Sequence, residues 1–305
     1  MPAAITLHAV DYALQSAAIH AVRQVVFVQG QGIDPALERD AADATAVHVL
    51  AMDADGRCVG TARMVVDVAG NTGRIGRMAV LADHRGHGIG AAMLHWLEQQ
   101  ARQQGLGRLA LHAQLPALPL YLRAGYLPCG PLVEEAGLPH QPLQRRLDGA
   151  MAIGDAQGLR AALACVIHTT ARQLWLTAPL LDPGLLDDPL VLQSLRALAA
   201  RRQPLTVQIL VDDPVAISRA GGPVLALVQR LPSMFVLHQR DMARTASANA
   251  LAVNDRGYCL LRPDAGSNEA TAGLPWRPLA QRVQEQFQQD WASASACAEL
   301  RPLRL

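Results

Sequence analysis

The sequence predicts a mixed α/β protein built as two domains. Three observations carry this reading. Short apolar runs alternate along the whole chain with segments whose apolar residues recur at helical spacing. The pattern pauses at Asp148, Gly149 and Gly154, then restarts without repeating the first half's sequence. The 305 residues suit two domains of ordinary size. The expected division gives one domain in residues 1–148 and a second α/β domain in residues 149–305.

Each element has its own signal. Residues 13–28 carry helical spacing and end in Val25, Val26, Phe27 and Val28. Residues 46–52 read as a strand, Asp55-Gly56 as a tight turn, and residues 57–67 as the hairpin partner. Gly70, Asn71 and Gly73 mark a second turn before a strand at 74–81. A glycine-rich loop at 85–90 leads into a helix from Ala91 to Gln104, which Gly105 and Gly107 end. A strand at 108–113 and a proline-bounded helix near 117–124 follow. In the second half, helices fit 155–172, 185–202, 217–230 and 278–292. Strands fit 173–178, 205–211 and 234–238, with a hairpin of 249–253 and 257–261 around Asp255-Arg256-Gly257. Residues 264–275, rich in Gly, Ala, Ser and Thr, read as a surface loop.

Composition narrows the class of function. Hydrophobic residues make up 50% and aromatic ones 4%, so the core rests on Ala, Leu and Val. That aliphatic content excludes disorder over most of the chain. With 27 Lys and Arg against 26 Asp and Glu, the net charge of +1 argues against general nucleic-acid binding. No apolar run reaches the roughly 18 residues that span a bilayer. Asp11 and the polar residues after it interrupt any candidate signal peptide. The five cysteines show no C-x-x-C spacing, so free thiols are expected rather than disulfides or zinc. These observations point to a cytoplasmic protein with no membrane segment and no metal.

The chemistry centres on Arg85-Gly86-His87-Gly88-Ile89-Gly90, between a strand and a helix. Glycines let the backbone approach a ligand closely, and a helix N-terminus presents amides and partial positive charge. Together with Arg85 they suit a diphosphate. The loop lacks the Gly-Lys-Ser/Thr ending of a Walker loop and the spacing of the dinucleotide fingerprint.

Arg85-x-x-Gly88-x-Gly90 resembles the R/Q-x-x-G-x-G/A loop of the GNAT acetyltransferases, which implies the GNAT fold and acetyl-CoA as cosubstrate. The resemblance places the pyrophosphate on Arg85, Gly86, His87, Gly88, Ile89 and Gly90, and the pantetheine arm along Met78, Ala79 and Val80. Residues 114–126 are similar to a second family block, with Gln114 in place of Asn, and with Ala117, Tyr121 and Gly125 matching. The segment 23–43, the run Gly60-Thr61-Ala62-Arg63 and the run Glu135 to His140 resemble the small bacterial branch called YjcF-like or ElaA-like. Gln29-Gly30-Gln31 departs from that branch's pattern. The resemblance covers residues 5–147.

The implied reaction moves an acetyl group from acetyl-CoA to an amine, on a small molecule or a peptide. An alkyl ammonium, with a pKa of about 10.4, must first lose a proton. The enzyme then needs a base and a group that protonates the departing thiolate. Tyr121 is the candidate acid by its motif position. Glu135 and His140 are candidate bases, beside His48 and His112. Glu38 and Asp40 lie in the segment that lines the acceptor cleft in relatives, and carboxylates there favour a cationic amine. His84, His87 and His95 show no metal-ligand spacing.

Residues 155–295 resemble a phospholipase D-like domain more weakly, through 171–182, Asp212-Asp213 and Gly266-Ser267-Asn268. Aligning that family's H-x-K-x-x-x-x-D on Asp255 puts Ala248 and Ala250 at the His and Lys positions. The resemblance implies a noncatalytic domain kept for binding, homodimerisation or shaping the acceptor cleft, and the alternative is an unrelated α/β domain that packs on the first. The alternative for the whole chain is a regulatory or adaptor protein that binds acetyl-CoA without turnover.

Overall fold

The computed structural model describes residues 5–201, 203–243, 249–297 and 300. It separates into two compact units, Met1–Asp148 and Gly149–Leu305. In the first unit the strands are β1 (Thr6–Val10), β2 (Val47–Met52), β3 (Cys58–Asp67), β4 (Thr72–Val80), β5 (Arg108–Gln114), β6 (Leu127–Pro128), β7 (Val133–Glu135) and β8 (Leu138–Arg146). They form one sheet in the order β1-β2-β3-β4-β5-β8-β6, with β7 paired to β8. All pairings are antiparallel except β4 with β5.

The helices of this unit are α1 (Tyr12–Arg23), α2 (Pro35–Glu38), α3 (Ile89–Gln103) and α4 (Leu118–Arg123). Asp11 caps α1 by accepting from the Ala13 amide at 2.8 Å. The expected regular helix to residue 28 instead ends at Arg23 and continues as a π-helical segment, Gln24–Gln29. In α3, Met93, Leu94, Leu97 and Ala101 are buried, the stripe that a sheet-packed helix requires. The hairpin at Gly56 forms as expected, since Gly56 takes φ 75° and Asp53 accepts from the Asp55 and Arg57 amides. The strands over 127–146 were not foreseen, because Pro128, Pro139 and Pro142 and alternate polar residues mask their strand character.

One irregularity shapes the unit. β4 and β5 pair only at Thr72↔Arg108, Gly73↔Leu109 and Arg74↔Ala110. Beyond those rungs β4 stays with β3, as far as Gly60↔Val80, while β5 stays with β8, as far as Gln114↔His140. The two parallel strands therefore part and leave a wedge between them. The β3–β4 register shifts between Thr61 and Arg63, and Arg77 holds φ 52°, a left-handed conformation rare for a side chain of its size.

The second unit contains β9 (Met151–Ile153), β10 (Gln173–Thr177), β11 (Thr206–Val211), β12 (Phe235–Gln239), β13 (Ala250–Asn254), β14 (Cys259–Arg262), β15 (Ala270–Gly273) and β16 (Ser295–Ala296). Their order is β16-β12-β11-β10-β13-β14-β15-β9. β10, β11 and β12 run parallel, and the remaining pairings are antiparallel. The helices are α5 (Ala156–Thr169), α6 (Pro189–Ala199), α7 (Pro214–Ala220), α8 (Pro223–Arg230) and α9 (Arg277–Ser293). Phe287 of α9 is buried among Trp175, Leu210, Leu251 and Val253.

Two expectations for this unit are corrected. The helix over 217–230 is broken into α7 and α8, because Gly221 and Gly222 take φ 67° and 115°. The loop over 264–275 contains the buried strand β15. Its small residues are needed there: a Cβ on Gly273 would stand 2.8 Å from the Trp276 Cβ.

Candidate active site

The wedge between β4 and β5 opens a cavity of about 900 Å³. Met78, Ala79, Val80, Gln114 and Tyr121 line it. Arg85 also lines it and donates Nε–H to the Val80 carbonyl at 3.0 Å. Gly86, His87, Gly88, Ile89 and Gly90 follow Arg85 outside the lining. Gly86 and Gly88 take φ 80° and 81°, which residues with a Cβ adopt at a cost. Gly88 caps α3 without any side-chain acceptor. The first-turn amides of α3 therefore have neither an intrahelical partner nor a capping side chain.

Tyr121 is 7% exposed, and its hydroxyl donates to the Met78 sulfur at 3.5 Å. Burial pushes the phenol up to about 12. Gln114 exchanges two hydrogen bonds of 3.0 Å with Gln31, which ties the end of β5 to the segment after α1.

The histidines and carboxylates separate cleanly. Glu135 of β7 accepts a hydrogen bond from His112 Nδ1 of β5, and both residues line the cavity. That bond fixes the tautomer and leaves the Nε2 lone pair open. His140, also on the cavity, is 8% exposed and donates Nδ1–H to the Leu138 carbonyl at 2.8 Å. His48 is buried away from the cavity lining, bonded through Nε2 to the Asp43 carbonyl and stacked on Tyr12. Burial lowers its pKa, so it is a neutral structural histidine.

The carboxylates of the 23–43 segment, expected to line the acceptor cleft, are engaged in ion pairs within the protein. Glu38 is held by Arg23 at 3.3 Å and by His20 at 3.0 Å. Asp40 accepts two hydrogen bonds from Arg63, at 2.7 and 2.6 Å, and one from Arg77 at 3.2 Å. Those bonds hold Asp40 below the usual carboxylate range. Burial works to raise Asp43, but the hydrogen bonds and charges of Arg23 and Arg63 outweigh it and depress its pKa. Arg77 also donates to the Leu37 and Glu38 carbonyls, and so pins the short α2 beside the cavity.

Residues 21–147 match the family described as acetyltransferase (GNAT) domain, and residues 135–303 match a domain of unknown function, DUF7931. A protein of Bacillus subtilis (strain 168) assigned as an acetyltransferase is 32% identical over 133 residues, which is 43% of this chain and 88% of that protein. The uncharacterized N-acetyltransferase YjcF of the same organism is 30% identical over 41% of this chain and 87% of its own length. The chain belongs to the GNAT family through its first half and to the DUF7931 family through its second. Among solved structures, the Escherichia coli protein ElaA is 25% identical, with a TM-score of 0.43 over 47% of this chain and 99% of that one.

The DUF7931 match stands where a phospholipase D-like domain was expected, and that resemblance finds no support. Ala250 is buried in β13, and Ala248 lies outside the described residues. Asp255 accepts from the Ala171 and Arg172 amides at 3.0 and 2.9 Å, a clamp on the start of β10. Among the described residues no three of His, Cys, Asp and Glu converge as a metal site requires, and no helix is long and apolar enough to cross a membrane.

The GNAT cavity also holds residues that the sequence reading passed over. Arg74 and Arg108 line it from β4 and β5, and the pairing of His112 with Glu135 was not anticipated. The alternation Thr72, Arg74, Gly76 and Arg108, Ala110, His112 was a usable signal for a shared face. It needed the parallel register of β4 and β5 to become one.

Proposed function

We propose that the GNAT half transfers an acetyl group from acetyl-CoA to an amine that attacks the thioester directly. The parting of β4 and β5 supports this reading, because Tyr121, His112 and Glu135 line one cavity with Arg85, which opens the loop before α3. The residues present fit the cosubstrate. Arg85 and the backbone from Gly86 to Gly90 would hold the diphosphate, and Met78, Ala79 and Val80 would flank the pantetheine arm. Acetyl-CoA supplies an activated acyl group, and the side chains supply proton transfer.

His112 takes a proton from the incoming ammonium through Nε2, and Glu135 holds the ring in that tautomer and stabilises the imidazolium. Glu135, itself a candidate base in the sequence, thus becomes a positioning residue. Tyr121 keeps its proton at every ordinary pH and gives it to the departing thiolate, and the second proton that the nitrogen loses as the amide forms returns to the phenol. Its raised pKa keeps the phenol protonated, and its weak thioether partner leaves the O–H able to turn to another acceptor. His140 lines the wall beside Gln114. We place the division between this enzyme half and the second half at Asp148 and Gly149, and assign the second half no phosphodiester chemistry. The test is thiol release from acetyl-CoA in the presence of amines. Release with N-acetylated product supports the reading, and acetyl-CoA binding without product overturns it.

A further inference from the structure

We infer that the amine acceptor carries a carboxylate, and that Arg74 and Arg108 hold it. This inference rests on the acetyl-transfer reading above and names the substrate class of the same cavity.

The argument begins with strand parity. Thr72, Arg74 and Gly76 share one face of β4, and Arg108, Ala110 and His112 share one face of β5. The register pairs Thr72 with Arg108 and Arg74 with Ala110, so the two arginines are diagonal neighbours at the vertex of the wedge. Both line the cavity. Arg74 stands two residues before Gly76, about 7 Å along the strand from the level at which β4 and β5 have parted. His112 lies on the other strand, past the vertex. An acceptor anchored at the vertex by an anionic group therefore presents its amine toward His112 and the thioester end of the cavity.

The charges agree. Arg108 donates Nε–H and one terminal N–H to the Thr72 hydroxyl, both at 3.1 Å, and that hydroxyl donates to the Gly70 carbonyl at 2.7 Å. The guanidinium is thus fixed in place without being neutralised. The Arg74 side chain makes no hydrogen bond or ion pair with the described residues, although its backbone belongs to the β4 ladder. Among the described residues no carboxylate of the cavity makes an ion pair with Arg74 or Arg108, and each has another partner. Glu38 meets Arg23 and His20, Glu135 meets His112, and Asp67 folds back onto the Gly70 amide at 2.9 Å. A polyamine would meet two unneutralised guanidinium groups at the vertex. A carboxylate would receive their fork of N–H donors, the geometry in which arginine binds it best.

The test measures turnover with acetyl-CoA on matched acceptors: free amino acids, each beside its own carboxamide, and putrescine as a purely cationic amine. The expected result is a kcat/KM for the acid at least about tenfold above that for the carboxamide. Arg74→Gln should raise KM for the acid by roughly tenfold to a hundredfold and bring the ratio close to one. The KM for acetyl-CoA should not move, and kcat/KM for the carboxamide should fall less than that for the acid. Arg74→Lys should recover part of the preference. Carboxamides or putrescine used as well as the acids, or a preference that survives Arg74→Gln, would overturn the inference while acetyl transfer stands. If no amine of any class is acetylated, the transfer reading falls and this one with it.

Discussion

The hydroxyl of Tyr121 lies 3.5 Å from the sulfur of Met78, on the strand expected to flank the pantetheine arm. A thioether is a weak acceptor, so this contact aims the phenol without binding its proton firmly. Tyr121→Phe keeps the ring and its edge contact with Tyr126 but removes the proton. It should lower kcat by about a hundredfold or more and leave the KM for acetyl-CoA unchanged. Because the phenol titrates at about 12, the protonated acid persists below that pH. The alkaline limb of the wild-type kcat profile should therefore not come from Tyr121, and Tyr121→Phe should lower the profile without shifting it.

His112 and Glu135 act as one unit in this account. His112→Ala should reduce kcat by about a hundredfold or more, and Glu135→Gln by roughly tenfold. The double variant should be no slower than His112→Ala alone, because Glu135 acts only through the ring. Steady-state kinetics of the three variants check this, and additive losses would separate the two roles.

The loop at Gly88 predicts a different signature. Gly88→Val places a branched side chain at φ 81° and disturbs the first turn of α3. It should raise the KM for acetyl-CoA by at least about tenfold, with a smaller effect on the KM for the amine. Arg85→Gln should act in the same direction more weakly. Calorimetric titration with CoA measures both without turnover.

Asp43 accepts from Arg23 at 3.0 and 2.9 Å and also from Arg63, all within the protein interior. Asp43→Asn leaves two buried guanidinium groups short of a counter-charge and should cost about 3–5 kcal/mol of stability. The pH dependence follows from the depressed pKa values of Asp40 and Asp43. A carboxyl whose folded pKa is below its unfolded value, near 3.9, contributes fully above that value. The contribution is lost as pH falls toward the folded pKa. The wild type should therefore lose stability below about pH 4, and Asp43→Asn should lose less over that window. Urea titrations at several pH values check both.

Some of this site could be read from sequence because few residues satisfy its backbone. Gly86 and Gly88 at positive φ, followed by a helix, leave little freedom, and Tyr121 sits in a short block of fixed spacing. The ionic network could not be read. Arg23, Asp43 and Arg63 are about twenty residues apart in sequence, and their burial converts apparent acceptor-binding carboxylates into structural ones. β15 was hidden by its composition, since ATAG looks like a loop until Trp276 closes over Gly273. The roles of Arg74 and Arg108 depend on the register of two parallel strands, which local pattern does not encode.

The most direct test of the central claim couples two readouts in one reaction: CoA thiol release and the mass of the acceptor. The account predicts one equivalent of N-acetylated amine for each thiol released, with both signals reduced together in Tyr121→Phe and His112→Ala. Thiol release without any acetylated amine, or tight binding of acetyl-CoA with neither signal across amines of every charge, would contradict it.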